Sequence, residues 1–291
     1  MINLSPLPPS EVTDGVQEYF TLADKAYRNW TQAPKGYTAP YALHSGYHPD
    51  GNEIDQFESV TLMTKKIISL LDIDPKASTA ILENGCGVGS ISYQIATAYP
   101  NSLVIGTNIT PSQASTANKY RVSSGLSNLW YILGDYNQPC FPDNSFNIVI
   151  FCESLCHSTD QAKSIQGAYR VLKKGGKLFV ADVVLNDLPL TTDEAKHLDN
   201  MHRGWFISEF RTLDEFRAML QATCFGVPLL SLDITRQTFP SARRMGENSA
   251  KRLQEEQTVP PVITESRKSC VALHELMKAG KLKYFWHLLE K

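Results

Sequence analysis

The chain has 291 residues, of which 42% are hydrophobic and 20% are charged, and its formal net charge is −2. This composition is typical of a globular protein that buries a sizeable core. The small net charge excludes a strong electrostatic attraction to nucleic acid or to an anionic membrane, and no apolar run approaches the ~20 residues of a membrane span.

The six cysteines predict neither a disulfide framework nor a zinc site, because they are scattered and form no C-x-x-C pair. Several lie in apolar runs, where a reduced cysteine behaves as a small hydrophobe. We therefore expect a reducing, cytoplasmic setting and no metal. Residues 1–10 are proline-rich and lack a basic region followed by an apolar one, so we expect a loosely packed tail and no signal peptide. Whether the chain forms a homo-oligomer stays open.

The N-terminal region predicts two helices joined by a loop. Residues 11–30 repeat apolar and aromatic side chains at three- and four-residue steps, which predicts a helix. This helix either packs plainly onto the main domain or forms a lid whose Tyr19 and Tyr27 hydroxyls reach a ligand. Residues 33–55 contain three prolines and three glycines and predict a loop, and residues 54–71 predict a second amphipathic helix.

From residue 78 onward, predicted strands and helices alternate, which is the pattern of a parallel sheet covered on both faces. The predicted strands are 78–82, 102–108, 129–133, 145–152, 177–185, 227–235 and 281–289. The predicted helices after the fourth strand are 159–172, 212–223 and two polar helices within 241–280. We predict a helical lid over residues 1–75 and a main domain over 76–291, with a substrate cap around 186–225 and 236–280.

A glycine-rich loop follows the first predicted strand. Its glycines allow a ligand to approach the backbone closely, and the start of the next helix favours an anionic group. The spacing is Gly85-x-Gly87-x-Gly89 with Glu83 ahead of it, and Cys86 lies inside the loop. It differs from the dinucleotide fingerprint G-x-G-x-x-G. It resembles the first motif of the class I S-adenosylmethionine (SAM)-dependent methyltransferases, which implies that these five residues bind SAM.

The end of the second predicted strand carries a variant of the next motif of this family. The family usually has an acidic residue there that binds both ribose hydroxyls, and this chain has Asn108. The stretch from Gly106 to Gln113, G-x-N-I-T-x-x-Q, resembles a variant found in natural-product methyltransferases, which implies that Asn108, Ile109 and Gln113 contact the cofactor. An amide at this point also weakens the alternative of an NAD site, which needs a carboxylate here.

The third strand end, Gly134-Asp135-Tyr136, matches the G-D-x element of the family. The resemblance implies that Asp135 accepts a hydrogen bond from the adenine amino group, with the backbone of Tyr136 at the ring edge. The alternative is an aspartate that caps a turn. Residues 141–147 and 172–178 resemble the F-P-D-x-S-F-D and L-K-P-G-G elements of the same family.

The fourth strand end carries the predicted catalytic residues. Glu153-Ser154-x-x-His157 resembles the E-S-x-x-H stretch of small-molecule methyltransferases, and Cys152 would lie beside the cofactor. Methyl transfer needs the acceptor aligned with the methyl group and its proton removed. Imidazole titrates near neutral pH, so His157 is the candidate base, and the alternative is a structural histidine at a helix start. Glu153 either orients it or lines the cofactor pocket.

The resemblance implies a Rossmann-like doubly wound sheet of seven strands with an antiparallel last strand, an α/β fold. The chain is similar to the sterol, tocopherol and UbiE-type methyltransferases. It implies methylation of a small, largely apolar acceptor such as a terpenoid or an aromatic natural product, on oxygen, nitrogen or carbon. The H-x-G-Y stretch around Tyr47 implies a third substrate-facing tyrosine. The alternatives are an NAD(P)-dependent oxidoreductase and a non-catalytic SAM-binding protein.

Overall fold

The computed structural model describes residues 9–256 and 258–291, so residues 1–8 of the predicted tail lie outside the described residues. In chain order the elements are α1 (Pro9–Thr31), α2 (Gln56–Leu71), β1 (Ala80–Asn84), α3 (Ser90–Ala98), β2 (Leu103–Asn108), α4 (Pro111–Ser124), β3 (Leu129–Leu133), β4 (Phe146–Cys152), α5 (Gln161–Val171), β5 (Leu172–Leu185), α6 (Thr192–Gly204), α7 (Leu213–Ala222), β6 (Leu230–Asp233), α8 (Thr235–Glu255), α9 (Pro261–Lys278) and β7 (Leu282–Glu290). No described helix is both long and apolar enough to cross a membrane.

The seven strands form one sheet in the order β3-β2-β1-β4-β5-β7-β6. Strands β1 to β5 are parallel, and β7 runs antiparallel between β5 and β6. This confirms the predicted α/β fold with a seven-stranded Rossmann-like sheet and an antiparallel last strand. The strand order reverses between β1 and β4, and in such sheets ligands bind in the crevice at the carboxyl ends of the strands.

Successive residues of the central strands point to opposite faces of the sheet, and each face has its own core. On one face, Ile81 of β1 and Ile148 of β4 pack in a cluster with apolar residues of α2, α3 and α4. On the other face, Leu82 and Val149 pack with α5 and α7. Because both faces are covered, the sheet leaves its strand ends as the place for a ligand.

The helices α6, α8 and α9, which we call the cap layer, share a third apolar cluster that includes Met201, Ala242 and Met277. Two helices of the predicted lid and cap pack elsewhere: α2 lies against the sheet, and α7 lies against the opposite face beside α5. The division into lid and main domain stays a prediction.

Several element boundaries differ from the sequence prediction; for example, β1 is Ala80–Asn84 instead of 78–82, and β6 is Leu230–Asp233 instead of 227–235. Strand β5 begins at Leu172 instead of residue 177, because Leu172 already pairs with Phe146 of β4. The register then shifts before Ile148 pairs with Lys177, and Gly175 (φ 72°) lies in this irregular stretch. Helix α8 begins at Thr235 and continues through Pro240. Its start is fixed by Asp233, whose Oδ1 accepts a hydrogen bond from the Thr235 backbone N–H (2.9 Å).

Candidate active site

A cavity of about 160 Å³ opens at the carboxyl ends of the parallel strands, between α1 and the cap layer. We call its two walls the strand side and the helix side. The strand side is lined by Glu83, Gly85, Cys86, Gly87, Asn108, Ile109, Gln113, Asp135, Tyr136, Cys152, Glu153, His157 and Asp182. The helix side is lined by Val16, Tyr19, Phe20, Tyr27, Met201, Trp205, Ala242, Met245, Leu273 and Met277.

The glycine loop forms the floor of the strand side. Its three glycines have φ angles of 69°, 56° and 89°, all in the left-handed region. A Cβ atom at Gly87 would lie 3.1 Å from Leu43 Cδ1, so the loop is closely packed from above. Gly89 caps the start of α3, and its carbonyl oxygen accepts a hydrogen bond from the Tyr131 hydroxyl (2.9 Å). The loop therefore presents backbone to the cavity at Gly85 and Gly87 and is held from behind at Gly89.

Glu83 joins β1 to the first turn of α3. The residue is buried, and its Oε2 atom accepts hydrogen bonds from the Ser92 backbone N–H (2.9 Å) and from the Ser92 hydroxyl. Burial raises the pKa of Glu83 to about 7, and the two hydrogen bonds from Ser92 oppose that rise.

Asn108, at the end of β2, ties the glycine loop to α4. Its Nδ2 group donates hydrogen bonds to the Gly87 carbonyl oxygen (2.8 Å) and to Gln113 Oε1 (2.8 Å), while Oδ1 accepts one from the Thr110 N–H (2.8 Å). The neighbouring Ile109 carbonyl accepts a hydrogen bond from the Gln17 side chain of α1 (3.1 Å). A carboxylate at residue 108 could not make the two donations.

Asp135 and Tyr136 follow β3 and both line the cavity. Asp135 Oδ1 accepts a hydrogen bond from the Asn137 backbone N–H (2.8 Å), which is the turn-capping bond that the sequence allowed. The Tyr136 hydroxyl donates to the Ser154 carbonyl oxygen (2.6 Å), and its ring meets Phe151 edge-on. The aspartate thus caps a turn and also faces the cavity.

Glu153 follows β4 with a left-handed backbone conformation (φ 49°). Its Oε1 atom accepts hydrogen bonds from the Ser45 backbone N–H (2.8 Å) and from the Tyr284 hydroxyl (2.8 Å). The carboxylate therefore anchors the loop between α1 and α2 to the end of the sheet, and it lines the cavity at the same time.

His157 closes a short 3₁₀ turn (Leu155–His157) at the edge of the cavity, where the Phe20 ring of α1 meets it edge-on at 5.6 Å. Burial lowers its pKa to about 4, and hydrogen bonds to the backbone of Phe206 and Trp205 oppose that fall. Its Nδ1 atom has no hydrogen-bond partner within residues 9–256 and 258–291. Because this pKa lies well below 7, the imidazole ring is neutral near pH 7.

The helix side is mainly apolar but holds one pair of hydroxyls. The Tyr19 and Tyr27 hydroxyls are hydrogen-bonded to each other at 2.8 Å, and burial raises the pKa of Tyr19 to about 12. Beside them, Trp205 Nε1 donates to Ser266 Oγ (3.2 Å). Most of the remaining wall consists of methionine, leucine and phenylalanine side chains.

The cavity brings together nearly all of the residues that the sequence singled out. Gly89 lies behind the loop, and Tyr47 is outside the lining, where its ring stacks on Trp286 at 5.8 Å. The individual roles of these residues stay predictions. Sequence reasoning missed Asp182 on β5 and the methionines of the cap layer. The signal for Asp182 was a single carboxylate inside an otherwise apolar strand.

Four carboxyl groups line the cavity, those of Glu83, Asp135, Glu153 and Asp182, and none of its described lining residues is lysine or arginine. This charge pattern suits SAM, whose sulfonium carries a positive charge. The glycine floor leaves room for a ligand against the backbone, so the residues present fit this cofactor. No cluster of three or more metal-ligating side chains occurs in the part of the chain that the structure describes.

The comparisons with known proteins agree with this geometry. Residues 75–256 match the family described as "Methyltransferase domain". The chain is 27% identical to 27-O-demethylrifamycin SV methyltransferase of Amycolatopsis mediterranei (strain S699) over 241 residues, and this alignment covers 82% of each protein.

Two solved structures share the fold. The cyclopropane synthase MmaA2 from Mycobacterium tuberculosis has a TM-score of 0.77 and 16% identity, over 99% of this chain and 100% of that one. The putative sarcosine dimethylglycine methyltransferase from Galdieria sulphuraria has a TM-score of 0.75 and 19% identity, over 96% of this chain and 98% of that one.

The family match spans well over half of the chain and includes the whole strand side of the cavity. The chain therefore belongs to the methyltransferase domain family, as a class I methyltransferase that uses SAM.

Proposed function

We propose that the protein transfers the methyl group of SAM to a small, largely apolar acceptor that carries no anionic group. SAM binds along the strand side, and the acceptor enters against the helix side. The observation that carries the proposal is the lining of the cavity, which combines an apolar helical wall with four carboxyl groups and with no described lysine or arginine.

The strand side supports specific roles toward SAM. The backbone of Gly85, Cys86 and Gly87 receives the amino-acid end, and Glu83 holds that loop in place through Ser92. Asn108 contributes its carbonyl oxygen to the ribose, because both of its N–H donors are engaged within the protein. The adenine lies toward Asp135 and Tyr136, with Ile109, Gln113 and Cys152 beside the cofactor.

The charge of the cavity restricts the acceptor. The carboxylate of SAM lies at the glycine-loop backbone, whereas a carboxylate or phosphate of the acceptor would lie against the apolar helix side. No described cationic side chain lines the cavity to pair with it, and burying such an unpaired anion is costly. A neutral or cationic molecule avoids that cost. The net charge of −2 and the buried, concave site also favour small molecules over nucleic acid as substrates.

The helix side supports an oxygenated hydrocarbon as the acceptor. Methionine and aromatic side chains adapt to irregular apolar shapes. The Tyr19 and Tyr27 hydroxyls offer a hydrogen-bonding pair in that apolar wall, suited to a hydroxyl or keto group of the acceptor. The printed name of the rifamycin relative, a natural-product methyltransferase, agrees with such an acceptor. The six free cysteines support a reducing, cytoplasmic location.

The test uses SAM with an isotopically labelled methyl group and matched probe acceptors that differ only in charge. Suitable pairs keep the same acceptor hydroxyl: a terpenoid diol with its phosphate monoester, and 4-hydroxybenzyl alcohol with 4-hydroxybenzoate. We expect label in the neutral member of a pair and none in the anionic member, measured by mass spectrometry. Transfer confined to the anionic members would contradict the acceptor proposal. SAM binding without transfer to any member would favour the non-catalytic alternative.

A further inference from the structure

Asp182 lies in a wall shared by two cavities. Besides the main cavity, the described part of the structure has a second cavity of about 20 Å³ beside β5. Cys156, Asp182, Val183 and Ile207 line both of them. The far wall of the second cavity includes Gln161, Glu209, Arg211 and His287.

The second cavity has the properties of a site for buried water. His287 is only 2% exposed, and neither of its ring nitrogens has a hydrogen-bond partner in the described segments 9–256 and 258–291. The same is true of the Arg211 Nε atom. A space of about one water molecule that is lined by unpaired polar atoms is where proteins hold ordered water.

We propose that Asp182 accepts the proton that the acceptor loses in methyl transfer, and that water in the second cavity passes this proton toward Glu209. The nucleophilic atom of the acceptor uses an electron pair to bond the methyl carbon. The carbon–sulfur bond breaks and leaves its pair on sulfur as a neutral thioether. The proton of the acceptor moves to the Asp182 carboxylate. This step depends on methyl transfer from SAM and not on the class of the acceptor.

The geometry holds Asp182 ready for this step. Its Oδ2 atom accepts a hydrogen bond from the Cys156 N–H (3.0 Å), and Oδ1 accepts one from the Val183 N–H (2.9 Å). Each oxygen keeps a further lone pair for a proton. Glu209, at the rim of the second cavity, is ion-paired with Arg211, and its side chain is 46% exposed, so the route reaches solvent at this pair.

Asp182 is also a better proton acceptor than His157 near neutral pH. Burial raises the pKa of Asp182 to about 7, whereas burial lowers the pKa of His157 to about 4. A base binds a proton more firmly as its pKa rises, so the carboxylate retains a proton that the imidazole would release.

The titratable or charged groups that face Asp182 are Glu153, Cys152, Tyr136 and Tyr284 toward the main cavity, Cys156 beside it, and Glu209, Arg211 and His287 across the second cavity.

The charge of SAM makes the proposal measurable without an acceptor. A bound sulfonium favours the ionised form of a carboxyl group in the same cavity, so SAM binding near pH 7 should release protons from Asp182. S-adenosylhomocysteine (SAH) lacks that charge and should release fewer. Titration calorimetry of both ligands, in two buffers with different ionisation enthalpies, counts the protons released.

The variant Asp182→Asn should abolish the proton release that is specific to SAM. Comparison of this variant with the wild-type protein cancels the ionisations of the ligands themselves. The matched control is Asp182→Glu, which keeps a carboxyl group at this position. We expect that control to keep most of the difference between SAM and SAH. Equal proton counts for SAM and SAH in the wild type, or an unchanged difference in Asp182→Asn, would overturn the proposal.

A pH series on the wild-type protein serves if Asp182→Asn does not fold. The preference for SAM over SAH should rise as pH increases through about 7, because the carboxylate that attracts the sulfonium becomes ionised. His287→Phe tests the water route, since the new ring keeps the packing between Phe216 and Phe285 but has no nitrogen. We expect it to move the midpoint of this rise to higher pH. A midpoint that stays in place would exclude a role for the second cavity.

Discussion

The two walls of the main cavity are built in different ways. On the strand side, polar groups at the ends of β1, β2 and β4 bond to one another or to the backbone, as Glu83 does to Ser92 and Asn108 does to Gly87. On the helix side, four helices contribute mostly apolar side chains, and the only hydroxyl pair described among them is that of Tyr19 and Tyr27. Hydrogen bonds hold the polar groups of the strand side in place, whereas methionine side chains, as on the helix side, adapt to different shapes.

With SAM on the strand side and the acceptor on the helix side, as proposed, cofactor binding and acceptor binding can vary separately. A change on the strand side disturbs backbone that several hydrogen bonds hold in place. A change on the helix side alters a side-chain surface and leaves the strand ends as they are. Substitutions on each wall should therefore affect different measurements.

The largest effect is expected for Gly89→Ala. Gly89 has a φ angle of 89°, and an added Cβ atom would collide with the Tyr131 side chain. Left-handed strain together with overpacking should lower the free energy of unfolding by about 3 kcal/mol. Because the glycine loop must shift, SAM binding should become too weak to measure by titration calorimetry.

The matched control for that substitution is Gly226→Ala. Gly226 has no positive φ, and an added Cβ atom there meets no atom within 4 Å. Its free energy of unfolding should change by no more than about 0.5 kcal/mol, with unchanged SAM affinity. Equal effects of the two substitutions would show that the geometry of the loop is not what matters.

A moderate effect is expected for Asn108→Asp. The carboxylate cannot donate to the Gly87 carbonyl oxygen or to Gln113, and it places a charge beside both oxygens. Loss of these two hydrogen bonds should cost about 1.5 kcal/mol of SAM binding free energy and weaken SAM binding about tenfold. We expect this loss although acidic residues are usual at this position in the family. Tighter SAM binding in this variant would contradict the hydrogen-bond arrangement.

Asn118→Asp is a matched control for this prediction. Asn118 also donates from Nδ2 to two carbonyl oxygens, those of Ala114 and Tyr131, but it is outside the cavity lining. The Asn118→Asp substitution should lower the free energy of unfolding, measured by thermal unfolding, by a similar amount and leave the SAM dissociation constant unchanged.

The strand side could be predicted from the sequence because each of its motifs is local. A glycine loop or a strand end places its residues within a few positions of one another, so spacing alone indicates where they lie. The parallel sheet then brings successive strand ends to one edge. The loop from Gly85 to Gly89 and the residues Asn108 and Asp135 were found in this way.

The helix side could not be predicted to the same extent, because its residues meet only through tertiary packing. Met201, Met245 and Met277 come from three helices and have no common spacing in the sequence. Tyr47 shows the opposite case: its local stretch suggested a substrate contact, but packing turns its ring onto Trp286. Asp182 lies on a predicted strand, and only the fold shows that it faces two cavities.

The smallest effect is expected for Tyr27→Phe, which tests the helix side alone. The substitution removes one hydroxyl of the pair with Tyr19 and keeps the ring in the wall. The loss of about 1 kcal/mol should raise the KM of an oxygenated acceptor about fivefold, with an unchanged SAM dissociation constant. Tyr47→Phe is the matched control outside the lining and should change neither quantity. A change in SAM affinity in Tyr27→Phe would mean that the two walls are coupled, for example through the contact of α1 with Ile109.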